Sequence, residues 1–151
     1  MMPDEAVKLA ADLCRRFEGL SLKPYFCPAG KATIGYGSTR YADGTEVRIS
    51  DKPITQAQAD ELLLLTLCRD YIPGVLQASP ELAGNPRALA AMTDFAYNLG
   101  VGSYRYSQLR QRVNEKDWEG ARAQLKKWVH ANGKVLPGLV TRRNAEAALL
   151  S

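Results

Sequence analysis

A chain of 151 residues is long enough to bury one sizeable core and too short for two ordinary domains, so one compact domain is expected. Hydrophobic residues at 46%, charged residues at 24% and a mean hydropathy of -0.27 exclude a disordered chain and a fibrous repeat. The net charge of +4 favours a polyanionic partner such as nucleic acid, an anionic membrane surface or a cell-wall polymer, without choosing among them. Three cysteines, Cys14, Cys27 and Cys68, are an odd number without C-x-x-C spacing, which gives neither a full disulfide framework nor a zinc knuckle and points to synthesis in a reducing compartment. The opening residues, from Met1 to Val7, have no basic or apolar signal region, and the longest apolar run, Ala88 to Met92, is too short to span a bilayer.

Apolar residues at Ala6, Val7, Ala10, Leu13, Cys14 and Phe17 recur at helical spacing, so the chain is predicted to open with an amphipathic helix from Pro3 to Phe17, its first turn set by Pro3 and Asp4. Pro24, Pro28 and the glycines from Gly19 to Gly37 then rule out helix, and about three short antiparallel strands are expected. The last of their turns is Ala42-Asp43-Gly44-Thr45, between Arg40-Tyr41 and Val47-Ile49. Thr55 is suited to cap a helix whose periodicity runs through Leu67. Pro86 to Leu99 forms an apolar helix stopped by Gly100 and Gly102, and Ser79 to Pro86 is a turn-rich connection before it. Shorter helices are predicted over Ser107 to Val113, Asp117 to Val129 and Val140 to Leu150, the last after turns at Asn132-Gly133 and Pro137-Gly138. The class is therefore α+β: one N-terminal helix, a small sheet subregion over about 19–50, and a mostly helical subregion over about 54–151.

Few groups are available for chemistry. The lone histidine, His130, excludes a His-rich metal site and reads as a surface or packing residue. Gly35-Tyr36-Gly37 lacks the third glycine, the Lys-Ser/Thr pair and the following helix of a phosphate loop. Lys126-Lys127 and Arg142-Arg143 read as solvated helix faces, and no base-reading motif accompanies them, so nucleic acid is not expected as a partner. Glu18 remains, at the junction of the first helix and a glycine. A carboxyl there can sit at the floor of a cleft and, if desolvated, keep a proton for delivery; the plainer alternative is an exposed glutamate at a helix end.

Phe17-Glu18-Gly19-Leu20-Ser21-Leu22-Lys23-Pro24-Tyr25 followed by Thr33-Ile34-Gly35-Tyr36-Gly37 resembles the active-site signature of the phage lysozymes of glycoside hydrolase family 24, the T4-type muramidases. The resemblance continues through Ala96-Tyr97-Asn98-Leu99-Gly100-Val101-Gly102, Trp118, Trp128 and Gly138-Leu139-Val140-Thr141-Arg142-Arg143-Asn144-Ala145-Glu146, so it covers nearly the whole chain in the family's order. It implies a lysozyme-like fold with an active-site cleft between sheet and helical bundle. It also implies hydrolysis of the β-1,4 bond between N-acetylmuramic acid and N-acetylglucosamine in peptidoglycan, with no metal and no cofactor. The implied setting is lysis of a bacterial host by a phage or prophage: a monomer made in the host cytoplasm, without stable membrane insertion, reaching the wall once a holin has opened the membrane.

The family's catalytic set is a glutamate, an aspartate nine residues on and a threonine six beyond that; the resemblance carries these onto Glu18, Cys27 and Thr33. The second carboxylate is thus replaced by a thiol. Glycosidases ordinarily need two carboxyl groups facing an oxocarbenium-like transition state. Cys27 can answer that need as a thiolate, its pKa lowered from about 8.5 by Lys23 or Lys31, or as a polar group helping Thr33 hold a water. A small buried hydrophobe in an inactive, peptidoglycan-binding domain is the competing reading. Tyr36, Ser38, Tyr97, Asn98, Ser107 and Gln108 fall in segments that line the family's cleft and stand as sugar-binding candidates, Ser38 where many members have histidine. Met92, Phe95, Leu99, Trp118 and Trp128 are assigned to the core. Cys14 and Cys68 are expected to fill it too; a disulfide from either to Cys27 would silence the site until reduced.

Overall fold

The computed structural model describes residues 4–151. Pro3, expected in the first turn, lies outside the described residues. Helix α1 runs Asp4–Phe17 and buries Ala6, Val7, Ala10, Ala11, Leu13 and Cys14, as its spacing requires. Strands β1 (Ser21–Phe26) and β2 (Ala32–Gly35) form an antiparallel hairpin that sets Tyr25 opposite Thr33 and Phe26 opposite Ala32.

The third strand does not form. The segment after β2 makes only single bridges, Ile34 with Ser38 and Arg40 with Glu46, around the predicted Asp43-Gly44 turn. Its hydrogen-bonding groups are otherwise met locally: Tyr41 N–H donates to Thr45 O, Val47 N–H donates to Thr39 O, and Asp43 accepts from Thr45 N–H and Oγ1. Ile34, Val47 and Leu62 bury a small core between this segment and the next helix.

Helix α2 (Gln56–Thr66) starts on a full capping box: Thr55 Oγ1 accepts from Gln58 N–H at 3.1 Å and Gln58 Oε1 accepts from Thr55 N–H at 2.8 Å. Where the periodicity fades the chain stays helical, widening into a π segment over Leu67–Tyr71 and resuming as α3 (Ile72–Ala78). Pro73 cannot donate to Arg69 O, so the turn before it is where an ordinary α-helical ladder fails. A 3₁₀ turn (Pro80–Gly84) then leads to α4 (Pro86–Leu99), capped by Asn85.

Every residue of α4 from Ala88 to Ala96 is buried, which makes it the central rod of the bundle. Gly100 ends it at φ 101°, a conformation that favours glycine. Gly102 is no second stop, because it lies inside the next short helix, α5 (Val101–Arg105). Helices α6 (Gln108–Asn114), capped by Ser107, and α7 (Trp118–Leu125), capped by Asp117, follow; α7 ends four residues before the expected Val129. The chain there turns into a two-residue hairpin, β3 (His130–Ala131) and β4 (Lys134–Val135), joined by Asn132 and Gly133, both at positive φ. Pro137 is not a turn residue but the first residue of α8 (Pro137–Ala147), where its missing N–H is no loss. Met92 and Phe95 are fully buried, with Leu99, Trp118 and Trp128 packed on the same core; the Phe95 and Trp128 rings meet edge-on at 5.3 Å.

Candidate active site

Glu18 is the first residue beyond α1, its N–H still bonded to Cys14 O. Its side chain is 26% exposed and is gripped from one side: Arg142 Nη1, on α8, donates to Oε2 at 2.8 Å. Oε1 is turned toward Gly37, lying 3.8 Å from where a Cβ would stand there. Gly37 itself has φ 99°, and a Cβ would also come within 3.3 Å of the Tyr97 hydroxyl, which donates to Tyr36 O at 2.6 Å. A side chain at residue 37 would therefore stand between that oxygen and the Tyr97 hydroxyl.

The arginine that grips Glu18 is buried. Arg142 is 4% exposed, and its Nε and Nη2 donate to Oδ2 and Oδ1 of Asp94 at 2.9 and 2.8 Å. Burial opposes the guanidinium charge, yet Asp94 and Glu18 hold its pKa above the ordinary value. Asp94 is fully buried on α4; burial works against its charge, but the neighbouring Glu146 carboxyl and the hydrogen bonds from Arg142 hold its carboxyl below the usual range. Cys14 Sγ also reaches Asp94, at 3.4 Å, and burial pushes that thiol well up. Arg143, beside Arg142, is buried too, stacked 5.0 Å from the Phe95 ring and donating to Asn98 Oδ1. The expectation of a solvated Arg142-Arg143 face is thus corrected: both guanidinium groups enter the core to meet carboxylates and an amide. Lys126 and Lys127 are exposed as expected.

On the hairpin side, Cys27 follows β1 at a tight turn: its N–H donates to Lys31 O at 2.9 Å and its carbonyl accepts from Gly30 N–H at 2.8 Å. The thiol is free and half-buried. Its pKa is lowered, first by the backbone amide of Lys31, then by that of Ala29 and the Thr33 hydroxyl, against the opposing effect of burial. Backbone amides thus do what the sequence assigned to a lysine ammonium. Thr33, 2% exposed, gives its hydroxyl proton to Lys31 O at 2.9 Å or to Cys27. Tyr25 ties the two sides together, since its phenol feels the negative charge of both Glu18 and Cys27 in addition to burial, and its pKa is raised.

The other candidates divide. Tyr36 is buried, its phenol near Asp60. Tyr97 is half-buried and packs at a tilt against Tyr71, ring centroids 5.0 Å apart; burial pushes its pKa up, and the charge of Glu18 adds to this. Ser38 is 3% exposed with its hydroxyl 3.5 Å from that of Thr66. Ser107 is buried as the α6 cap, whereas Gln108 is exposed; both stand around an open hollow with Tyr106, Gln124 and Trp128, whose lining includes neither Glu18 nor Cys27. A more apolar hollow between Tyr41 and α2, lined by Ile54, Leu62 and Leu65, likewise excludes them, so it is chemistry rather than size that assigns the site. Sequence reasoning missed Tyr25, Asp94 and Arg142. Asp94 carried a legible signal, a carboxylate set among Ala90, Ala91, Met92, Phe95 and Ala96 on a mostly apolar helix.

A helix-end carboxylate facing a small hairpin across a helical bundle is a lysozyme-like arrangement. The chain superposes on an endolysin from Escherichia coli O157:H7 phage FAHEc1 with a TM-score of 0.77, at 26% identity, covering 99% of this chain and 92% of that one. It is 36% identical over 141 residues to an endolysin of Acyrthosiphon pisum secondary endosymbiont phage 1, with 91% of each chain covered. It is also 36% identical over 132 residues to a SAR-endolysin of bacteriophage PS119, covering 85% of this chain and 73% of the other. Residues 15–146 match the phage lysozyme family model, and the chain belongs to that family.

Proposed function

We propose that this protein is a peptidoglycan hydrolase of phage lysis, an N-acetylmuramidase that cleaves the β-1,4 bond between N-acetylmuramic acid and N-acetylglucosamine as one catalytic domain. The observation that carries the reading is the divided state of Glu18: one oxygen held by Arg142, the other turned toward Gly37, which has no side chain to cover it. In this reading Glu18 delivers its proton to the glycosidic oxygen as the C1–O bond breaks, and water adds at C1. Cys27, drawn toward the thiolate by the Lys31 amide, faces the developing oxocarbenium charge, and Thr33 fixes the thiol or a water beside it. The family's aspartate is replaced by another anion in this reading, not lost.

Tyr36, Ser38 and Tyr97 shape the floor of the cleft, while Asn98, whose Oδ1 is held by Arg143, and the exposed Gln108 are the candidates to meet N-acetyl sugars. Ser107 acts through the α6 cap that presents Gln108. Among the described residues no helix is long and apolar enough to cross a membrane. We take the protein to act on the wall after a holin has breached the membrane of the host.

The test is turbidity clearing of outer-membrane-permeabilised Gram-negative cells. Glu18→Gln keeps the shape and removes the transferable proton, and is expected to cut clearing by roughly 10²–10⁴. Clearing by Glu18→Gln near the parent's rate would dismiss Glu18 as the acid. Wall binding without clearing by the parent itself would instead identify the inactive, peptidoglycan-binding alternative.

A further inference from the structure

The buried charges beneath Glu18 are more numerous than a single salt bridge needs. Arg142 has five N–H donors in a rigid fork. Three of its nitrogens are committed: two to Asp94 and one to Glu18. A guanidinium bound through one nitrogen can swing; one clamped through two cannot, and its remaining donor then has a fixed direction. Beneath Asp94 lies Glu146, fully buried, with neither carboxyl oxygen accepting a hydrogen bond. Arg143 Nε is 3.0 Å from Glu146 Oε1 but off-line, so the ion pair has no aligned hydrogen bond. An orphaned buried carboxyl beside a carboxylate is accounted for when it carries the proton and donates it to its neighbour.

From this geometry we propose that Asp94 is a positioning residue for the general acid: with Glu146 donating to it from below, it clamps Arg142 so that one N–H pins Glu18 Oε2 and leaves Oε1 for the glycosidic oxygen. The proposal rests on the reading of Glu18 as the acid. The groups around Glu18 are Arg142 from α8, Tyr97 from α4, Tyr71 from the π segment, Cys14 from α1 and Tyr25 from the hairpin, with Asp94 reached through Arg142 and Cys27 through Tyr25. Asp94 alone among them takes two hydrogen bonds from the residue that holds the acid.

Three variants are assayed on solubilised glycan strands across pH: Glu18→Gln, Asp94→Asn and Arg142→Lys. Asp94→Asn keeps the shape but leaves the Arg142 charge to bear on Glu18 alone. Turnover is expected to fall about tenfold with KM changed less than about twofold, and the alkaline limb of the rate profile to move to lower pH, which a merely structural role would not do. Arg142→Lys keeps the cation but cannot clamp and pin together, and the same loss of turnover is expected. Where either variant fails to fold, the parent decides by NMR: three Arg142 N–H protons protected from exchange support the clamp, and rapid exchange of all of them overturns it. Rate profiles of both variants superimposable on the parent's also overturn it. If Glu18→Gln remains active, the acid assignment itself fails; if it is dead while Asp94→Asn and Arg142→Lys match the parent, only the clamp fails.

Discussion

The two halves of the site are built from different materials. Glu18 stands over a floor of buried polar side chains contributed by three helices, α1, α4 and α8, in which the Arg142–Asp94 ion pair is joined by Glu146 and the Cys14 thiol. Cys27 sits on a two-stranded hairpin whose own core is small, and its thiol is tuned by the backbone amides of a five-residue turn. A side chain held by buried charges cannot be changed without disturbing the fold, whereas one held by backbone can be replaced while its surroundings persist. The glutamate is thus tied to the fold, whereas residue 27 depends on its turn and can change without disturbing the core.

The sharpest way to break this contrast is to remove one partner from each half. Arg142→Ala strands Asp94 in the core without its cation, and loss of one member of a buried pair costs roughly 3–5 kcal/mol. For a chain of this size a melting temperature lower by about 10 °C is expected. Cys27→Ala is expected to leave the melting temperature within about 2 °C of the parent's while wall clearing falls by about tenfold or more. Comparable melting losses in the two variants, measured by calorimetry, would erase the distinction between the halves.

The second comparison concerns what occupies position 27. The parent's clearing rate should rise with pH through the ionisation of the thiol, at a pH below that of an unperturbed cysteine because the Lys31 and Ala29 amides and the Thr33 hydroxyl favour the thiolate. Cys27→Asp is already ionised throughout that range, so it should keep or exceed the parent's activity and lose that rise. A rise that survives unchanged in Cys27→Asp would belong to another group.

A third comparison sharpens the account of the floor. Burial raises the Glu146 pKa well above the usual carboxyl range, so the folded protein keeps a proton that the unfolded chain releases. Its contribution to stability is therefore complete below the ordinary carboxyl pKa and declines as pH rises toward the folded value. Glu146→Gln carries no such proton, so its melting temperature relative to the parent should climb as pH rises above the ordinary carboxyl range, where the raised carboxyl still holds its proton. A constant difference there would mean that Glu146 is ionised in the fold.

How far these features could be read from the chain depends on the distance over which each is specified. Local signals came through: the Thr55 cap, the Pro86 to Leu99 helix, the Asp117 and Ser107 starts, the Asn132-Gly133 turn and the α1 end that places Glu18. Pro137-Gly138 was misread because a proline marks both turns and first helical turns, and only the residues that follow decide between them. The third strand was misread because Asp43-Gly44 specifies the turn but not the pairing beyond it. The Arg142 and Arg143 sites were invisible for another reason: their partners lie 48 and 45 residues away on α4, and a charged pair on a helix looks the same whether it meets water or a carboxylate. For Cys27, the family resemblance implied a thiol in place of the second carboxylate, but the amides that lower its pKa belong to a turn geometry that composition does not specify.

The smallest expected effect joins the two halves. Thr33 is nearly fully buried, and its hydroxyl serves Lys31 O and Cys27 from inside the hairpin. Thr33→Val has nearly the same shape but removes that hydroxyl, leaving Lys31 O to its bond from Cys27 N–H alone; a cost of about 1 kcal/mol is expected. The same change withdraws the one side-chain influence among the four that lower the thiol pKa, so the activity rise assigned to Cys27 should move to higher pH while the backbone amides continue to act. Thr33→Ser restores the donor and should restore the parent profile. A Thr33→Val protein that loses stability without any shift in its pH profile would confine Thr33 to holding the turn, and the hairpin half of the site would then be tuned by backbone alone.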